Sequence, residues 1–256
     1  MARVTVGVSL KTYFGHGQAI EWCTRVADLV GICPAVADGS VELFVIPTFP
    51  QIVGAVDAFA GTPVVIGAQD VSQFEPDAYT GEVSAAELAE IGIGVVEIGH
   101  AERRRLFAET DDVVTAKVAT ALSHGVTPVL CLGEMHETSD AAAVVVDQLR
   151  SALASAPDGR VIVAYEPVWA IGAAEPAGPD HIIPVARALR AELDTLPDRA
   201  ESSVVYGGSA GPGLLRRLDG SVDGLFLGRF AHDPANLLAV LHEAAALAPA
   251  RTGPDA

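Results

Sequence analysis

The feature that most limits how this chain can fold is a beat of eight short apolar runs, each separated from the next by a longer intervening stretch. The runs lie at residues 4–10, 41–46, 64–68, 95–98, 127–132, 161–165, 204–206 and 224–227. They are almost continuously Val, Ile and Leu rather than alternating with polar residues, as parallel strands covered on both faces require. Between them, residues 19–30, 111–124, 139–154, 179–196 and 234–247 have helical character. Strand and helix in alternation imply βα units joined by right-handed crossovers.

Eight such units in 256 residues predict an α/β protein, a (β/α)8 barrel forming a single domain over residues 1–256, with 250–256 a frayed tail. An open doubly wound sheet has the same alternation, and the number and modest length of the units favour closure. Half the residues are hydrophobic, which is enough for a large core. The stretch 70–82 after the third run is long and polar, as a protruding functional loop would be.

A net charge of −17 repels phosphate backbones and anionic lipid, so neither nucleic acid nor a membrane surface is an expected partner. An anionic small substrate would need a local positive potential. Cys23, Cys33 and Cys131 are odd in number and form no C-x-x-C pair, which fits reduced thiols. With no leader-like segment and no apolar run of about 18 residues, the expected location is the cytoplasm. Of 16 basic residues only Lys11 and Lys117 are lysines. Lys117 falls on the polar face of the helical stretch 111–124, where solvation explains it. Lys11 directly follows an apolar strand, and that position asks for a function.

In a barrel the active site gathers at the C-terminal ends of the strands. The residues there are Lys11, His100, Glu166, Gly207-Gly208-Ser209 and Gly228-Arg229. Each alone has an ordinary reading: a hydrogen-bonded histidine, a turn-capping glutamate, glycines that supply positive φ. Together, a carboxylate, an imidazole, a cation and two glycine-rich turns on one mouth suit proton transfer on a phosphorylated substrate. No H-x-x-x-H or C-x-x-C spacing suggests a metal, and no cofactor is expected.

Several segments resemble the triosephosphate isomerase family: Gly99-His100-Ala101-Glu102-Arg103-Arg104, Ala164-Tyr165-Glu166-Pro167-Val168-Trp169-Ala170-Ile171-Gly172 and Tyr206-Gly207-Gly208-Ser209. Gly67-Ala68-Gln69-Asp70-Val71-Ser72 and Thr80-Gly81-Glu82-Val83-Ser84-Ala85 are similar to that family's third loop. The resemblance implies Glu166 as the base, His100 as a neutral electrophile held by a helix N-terminus, and Lys11 as the substrate-binding cation. It implies phosphate held by backbone N–H groups of Gly172, Gly208, Ser209 and Gly228. The segment from Pro167 through Trp169 and Ala174 to Ala177 would be a mobile lid, latched when closed by Tyr206 and Ser209, with Glu134 receiving Trp169 when open. Thr80, Gly81 and Glu82 would reach a second copy of the chain in a homodimer. The implied activity is interconversion of glyceraldehyde 3-phosphate and dihydroxyacetone phosphate through an enediolate.

The chain also departs from that pattern. Ser9 stands where the family has an asparagine, Ala101 where it has a serine, and Arg229 where it has a second phosphate-turn glycine. The lid tip reads Ala173-Ala174-Glu175-Pro176-Ala177. Base, electrophile and cation all remain, so catalysis is expected to survive, against a reading as a catalytically weak binding barrel. Substrate choice is what the departures touch: a four-carbon ketose phosphate such as L-erythrulose 1-phosphate is the alternative to the triose. The Arg229 head reaches either outward to solvent or across the mouth.

Overall fold

The computed structural model describes residues 3–173 and 176–248. The expected tail 250–256 and the lid residue Ala174 lie outside the described residues. Eight parallel strands close into a barrel in chain order. They are β1 (Val4–Ser9), β2 (Val41–Ile46), β3 (Val65–Ala68), β4 (Val95–Ile98), β5 (Thr127–Leu132), β6 (Ile162–Tyr165), β7 (Ser203–Tyr206) and β8 (Gly224–Leu227). Closure is direct: β1 pairs with β2 from Val4↔Val41 to Ser9↔Ile46 and with β8 from Thr5↔Gly224 to Val8↔Leu227.

The apolar strands are buried on both faces because each face has its own cluster. Inside the barrel, Phe44, Ile46, Val95, Val129, Cys131, Ile162, Ala164, Val205 and Phe226 pack together. Outside, the opposite faces pack against the helices; Val6, Val8, Leu43, Val96, Leu130 and Val163 meet Val26, Val118, Leu149 and Leu189. Gly7 makes the interior possible, since a Cβ there would lie 2.0 Å from Cζ of Phe44. Strand side chains alternate faces, so the interior row on β4 runs from Val95 to Glu97 and that on β1 from Gly7 to Ser9. The row therefore changes from apolar to polar at the C-terminal end of the barrel.

The five expected helices appear at His16–Gly31, Asp111–Ser123, Ala141–Leu153, Pro179–Asp194 and Pro234–Leu247. Shorter ones include Ala85–Glu90 and Ala101–Leu106. Start signals are chemical: Thr110 Oγ1 accepts from the N–H of Val113 with Asp111 and Asp112 in the first turn, and Asp233 accepts from Ala235 before Pro234. None of the helices among the described residues is long and apolar enough to cross a membrane. All three cysteines are free and buried.

Lys117 corrects the sequence reading. It is 5% exposed rather than solvated. Its Nζ donates to Asp70 Oδ1 (2.6 Å) and Glu109 Oε1 (2.5 Å), while Arg103 pairs with the same two carboxylates. The helix face that looks polar in sequence packs under the loop after β3, and a buried ammonium is tolerated only when it is paired. This four-residue cluster ties that loop to the segment following His100.

Candidate active site

The strand ends open into a cavity of about 990 Å3 lined by Ser9, Lys11, Glu97, His100, Glu166, Gly207, Ser209, Gly228 and Arg229, among others. His100 caps the helix Ala101–Leu106, and its Nδ1 accepts the N–H of Glu102 at 3.1 Å. Because a backbone amide can only donate, the neutral ring must carry its hydrogen on Nε2, which points into the cavity. Around Nε2 stand Lys11 Nζ at 3.2 Å, Glu166 Oε2 at 3.4 Å and Glu97 Oε1 at 3.9 Å. Two donors, Nε2–H and the ammonium, thus face one point where an oxyanion could sit.

Glu166 leaves the end of β6 with its N–H bonded to Leu132 O at 2.8 Å. It is 5% exposed, and its Oε2 accepts no hydrogen bond among the described residues. Burial drives its pKa up to about 7; His100 and Lys11 pull it down, while Glu97 and Glu102 push it further up. A carboxylate with that value and a free oxygen is suited to take a proton near neutral pH. Glycine is required beneath it, for a Cβ on Gly207 would sit 2.4 Å from Glu166 Oε1. Ala101 offers no hydroxyl to draw the carboxyl elsewhere.

Lys11 adopts a left-handed backbone, φ 46°, uncommon outside glycine. The strain is braced: Gln69 Nε2 donates to the Lys11 carbonyl at 3.0 Å, and Nζ donates to Glu102 Oε1 at 2.9 Å. Burial works to lower the Lys11 pKa, but Glu102, Glu166 and Glu97 outweigh it and hold the ammonium above its ordinary value. Ser209 is the second strained non-glycine at the mouth, φ 54°. Among the described residues nothing accepts the N–H groups of Gly172, Ser209, Gly228 or Arg229, which leaves four donors at one end of the cavity. Gly228 begins a short 3-10 turn, Arg229–His232, at that end. Gly208 adjoins them on the turn after β7.

The lid contacts expected to alternate occur together. Trp169 Nε1 donates to Glu134 Oε1 at 2.8 Å, the contact expected of an open lid. The N–H of Ala177 donates to the Tyr206 hydroxyl at 3.1 Å, and Ser209 Oγ donates to the carbonyls of Ala170 and Ala173, contacts expected of a closed one. Pro167 precedes a 3-10 turn at Val168–Ala170, so the segment expected to form the lid begins directly beside Glu166. Arg229 is exposed and lines the cavity at its rim, where its guanidinium carbon lies 5.8 Å from the Tyr13 ring centroid. Thr80, Gly81 and Glu82 are exposed and are not among the residues lining the cavity.

Sequence reasoning missed three participants. Glu97 was legible as the one charge inside the run Val95-Val96-Glu97-Ile98, where an apolar neighbour pattern should have drawn notice. Glu102 lay within the quoted motif without a role. His181, whose Nε2 is 2.8 Å from Glu134 Oε1, had no local signal. Among the described residues no group of three or more His, Cys, Asp or Glu is arranged to hold a metal.

Fold and mouth together are those of a barrel enzyme, with a buried carboxylate, an imidazole, an ammonium and unpaired backbone amides lining one cavity. The sequence profile of triosephosphate isomerase matches residues 4–244, and the chain belongs to that family. The L-erythrulose-1-phosphate isomerase of Pectobacterium atrosepticum is 46% identical, covering 94% of this chain and 96% of that protein. The triosephosphate isomerase of Thermoanaerobacter pseudethanolicus is 38% identical, covering 89% and 94%. A second L-erythrulose-1-phosphate isomerase, from Mesorhizobium japonicum, is 36% identical, covering 94% and 97%.

Proposed function

We propose that the chain isomerises a short ketose phosphate by carrying a proton between adjacent carbons. The observation that carries this is the unpartnered, buried Oε2 of Glu166, 3.4 Å from the Nε2 of His100 that Lys11 also faces. Glu166 takes the proton from the carbon beside the carbonyl, and the electron pair moves into a carbon–carbon double bond. The oxyanion so formed is held by Nε2–H and the Lys11 ammonium. His100 passes a proton between the two oxygens, Glu166 returns its proton to the neighbouring carbon, and the carbonyl has moved. The four N–H donors at Gly172, Ser209, Gly228 and Arg229 grip the phosphate, joined by the turn at Gly208. The lid from Pro167 to Ala177 keeps water from the enediolate.

A four-carbon substrate of the L-erythrulose 1-phosphate kind is favoured by the identity to the Pectobacterium protein over nearly the whole of both chains. The three-carbon reaction, interconversion of glyceraldehyde 3-phosphate and dihydroxyacetone phosphate, is favoured by the relatives named triosephosphate isomerase. The two ketoses differ by one hydroxymethyl group on the carbon that loses the proton, so one machinery serves either. Steady-state turnover across three- to five-carbon phosphoketoses separates them. We expect the highest kcat/KM for L-erythrulose 1-phosphate; a preference for the trioses returns the three-carbon reading, and no turnover of any member refutes the proposal. The chemistry calls for no metal or redox cofactor, and full activity in chelator is the expected result.

The proposal includes a cytoplasmic homodimer joined by the loop after β3. Phe74 and Tyr79 stack at 4.2 Å and 8° on that exposed loop, beside Thr80, Gly81 and Glu82, as an anchor awaiting a partner surface would. Light scattering should give twice the chain mass, and a fully active monomer at dilution would refute the loop's part.

A further inference from the structure

The interior row of β4 ends on a carboxylate that the proton-transfer machinery does not use. Glu97 is 4% exposed and lines the cavity floor. Its Oε2 accepts one hydrogen bond, from Ser9 Oγ at 2.9 Å across the barrel from β1. Its Oε1 accepts none among the described residues, and His100 Nε2 lies 3.9 Å from it. A buried ionisable group holding a free acceptor is costly unless something polar completes it. The cavity, not the protein, supplies the room for that partner.

The place of Glu97 says what the partner is. Phosphate is gripped at the ends of β6, β7 and β8, and the reacting carbons lie between Glu166 and His100. The substrate end remote from phosphate therefore runs past His100 toward β4 and β1, where Glu97 and Ser9 close the floor. A carboxylate oxygen 3.9 Å from the imidazole nitrogen is within one bond's reach of the atom beyond the reacting carbons. In a triose phosphate that position carries hydrogen only. In a four-carbon ketose phosphate it carries a hydroxymethyl group, whose hydroxyl is a donor.

We propose that Glu97, fixed by Ser9, is the specificity-determining residue of this site, accepting a hydrogen bond from the terminal hydroxyl of a four-carbon ketose phosphate. The proposal rests on the four-carbon reading above and identifies how that substrate is told from a triose. Ser9 has two roles: it is short enough to leave space for the extra carbon, and it orients the carboxylate so that Oε1 faces the cavity. A site built to bond a substrate hydroxyl discriminates strongly against a substrate without one, because its polar group is then left unpaired.

The test compares wild type, Glu97→Leu, Glu97→Gln and Ser9→Ala on L-erythrulose 1-phosphate, on its 4-deoxy analogue and on dihydroxyacetone phosphate, with thermal melts as folding controls. For a hydrogen bond to a charged acceptor, the ratio of kcat/KM for the four-carbon substrate to that for the triose should fall roughly 10- to 100-fold in Glu97→Leu. Wild type should lose a similar factor on the 4-deoxy analogue, and Glu97→Leu should lose nothing further on it. Glu97→Gln, which keeps an acceptor, should fall less than Glu97→Leu, and Ser9→Ala should fall in the same direction. Equal losses on both natural substrates, or an undiminished penalty for the analogue in Glu97→Leu, would overturn the assignment. If wild type does not turn over the four-carbon substrate, the four-carbon reading itself has failed, and that result precedes any comparison of variants.

Discussion

The raised pKa of Glu166 sets a pH dependence that can be worked out before it is measured. The base acts only when ionised, and burial holds its pKa at about 7. At pH 6 about a tenth of the enzyme then carries the active carboxylate and at pH 8 about nine tenths, so kcat/KM should rise about tenfold across that window. An ordinary glutamate, about 97% ionised at pH 6, would give an essentially flat line. The phosphate of the substrate titrates near pH 6 and adds its own break below that point, so the decisive range is roughly pH 6.3 to 8.5. The same shift has a stability side. A carboxyl whose folded pKa lies above its unfolded value stabilises below the unfolded pKa, and that stability is lost as pH rises through about 7. Glu166→Gln should therefore lose roughly 10²- to 10⁴-fold in turnover, melt several degrees above wild type at pH 8 and match it at about pH 4, below the unfolded value. Initial rates at saturating and limiting substrate, with calorimetric melts at both pH values, supply the data. A flat kcat/KM between pH 6.3 and 8.5 would refute the claim that this buried carboxyl is the base, and an unchanged melting difference at the two pH values would refute the linkage.

Two further outcomes follow from the geometry. Lys117→Met leaves Asp70 and Glu109 sharing only Arg103, and removing one partner from a buried charge cluster destabilises by about 3–5 kcal/mol. A fall in Tm of roughly 6 to 20 °C is expected, and a fall under about 2 °C would show that the cluster is solvated in solution. Gly207→Ala puts a Cβ 2.4 Å from Glu166 Oε1, so the carboxyl must move by about an ångström. Turnover should drop about 100-fold with KM little changed, and a KM effect alone would contradict the packing of base on glycine.

Much of this protein is legible in its sequence because the barrel repeats one simple demand eight times. Every strand must be apolar on both faces, and the run 95–98 shows both the strength and the limit of that rule. Its apolar residues are sufficient to predict β4, and for the same reason the strand reading absorbs Glu97 as an imperfection in the pattern. The structure reverses the weight: the exception is the informative residue, because the last interior position of a barrel strand faces the site rather than the core. Lys117 failed the other way, since helical periodicity reports which face is polar but not whether solvent or a paired acid lies against it. Residues whose placement depends on partners far along the chain, such as Lys11 on Gln69 and Glu102 or Glu134 on His181, have no local signature. For such residues rarity is the usable clue. One of two lysines in the chain, and one charge in an apolar strand, both converge within 4 Å of the same imidazole nitrogen. A fold that buries a charge has to neutralise it, hydrogen-bond it or leave it for a ligand. At Lys117 the first holds; at Glu97, with one oxygen bonded and one facing the cavity, the third is the part still to be filled.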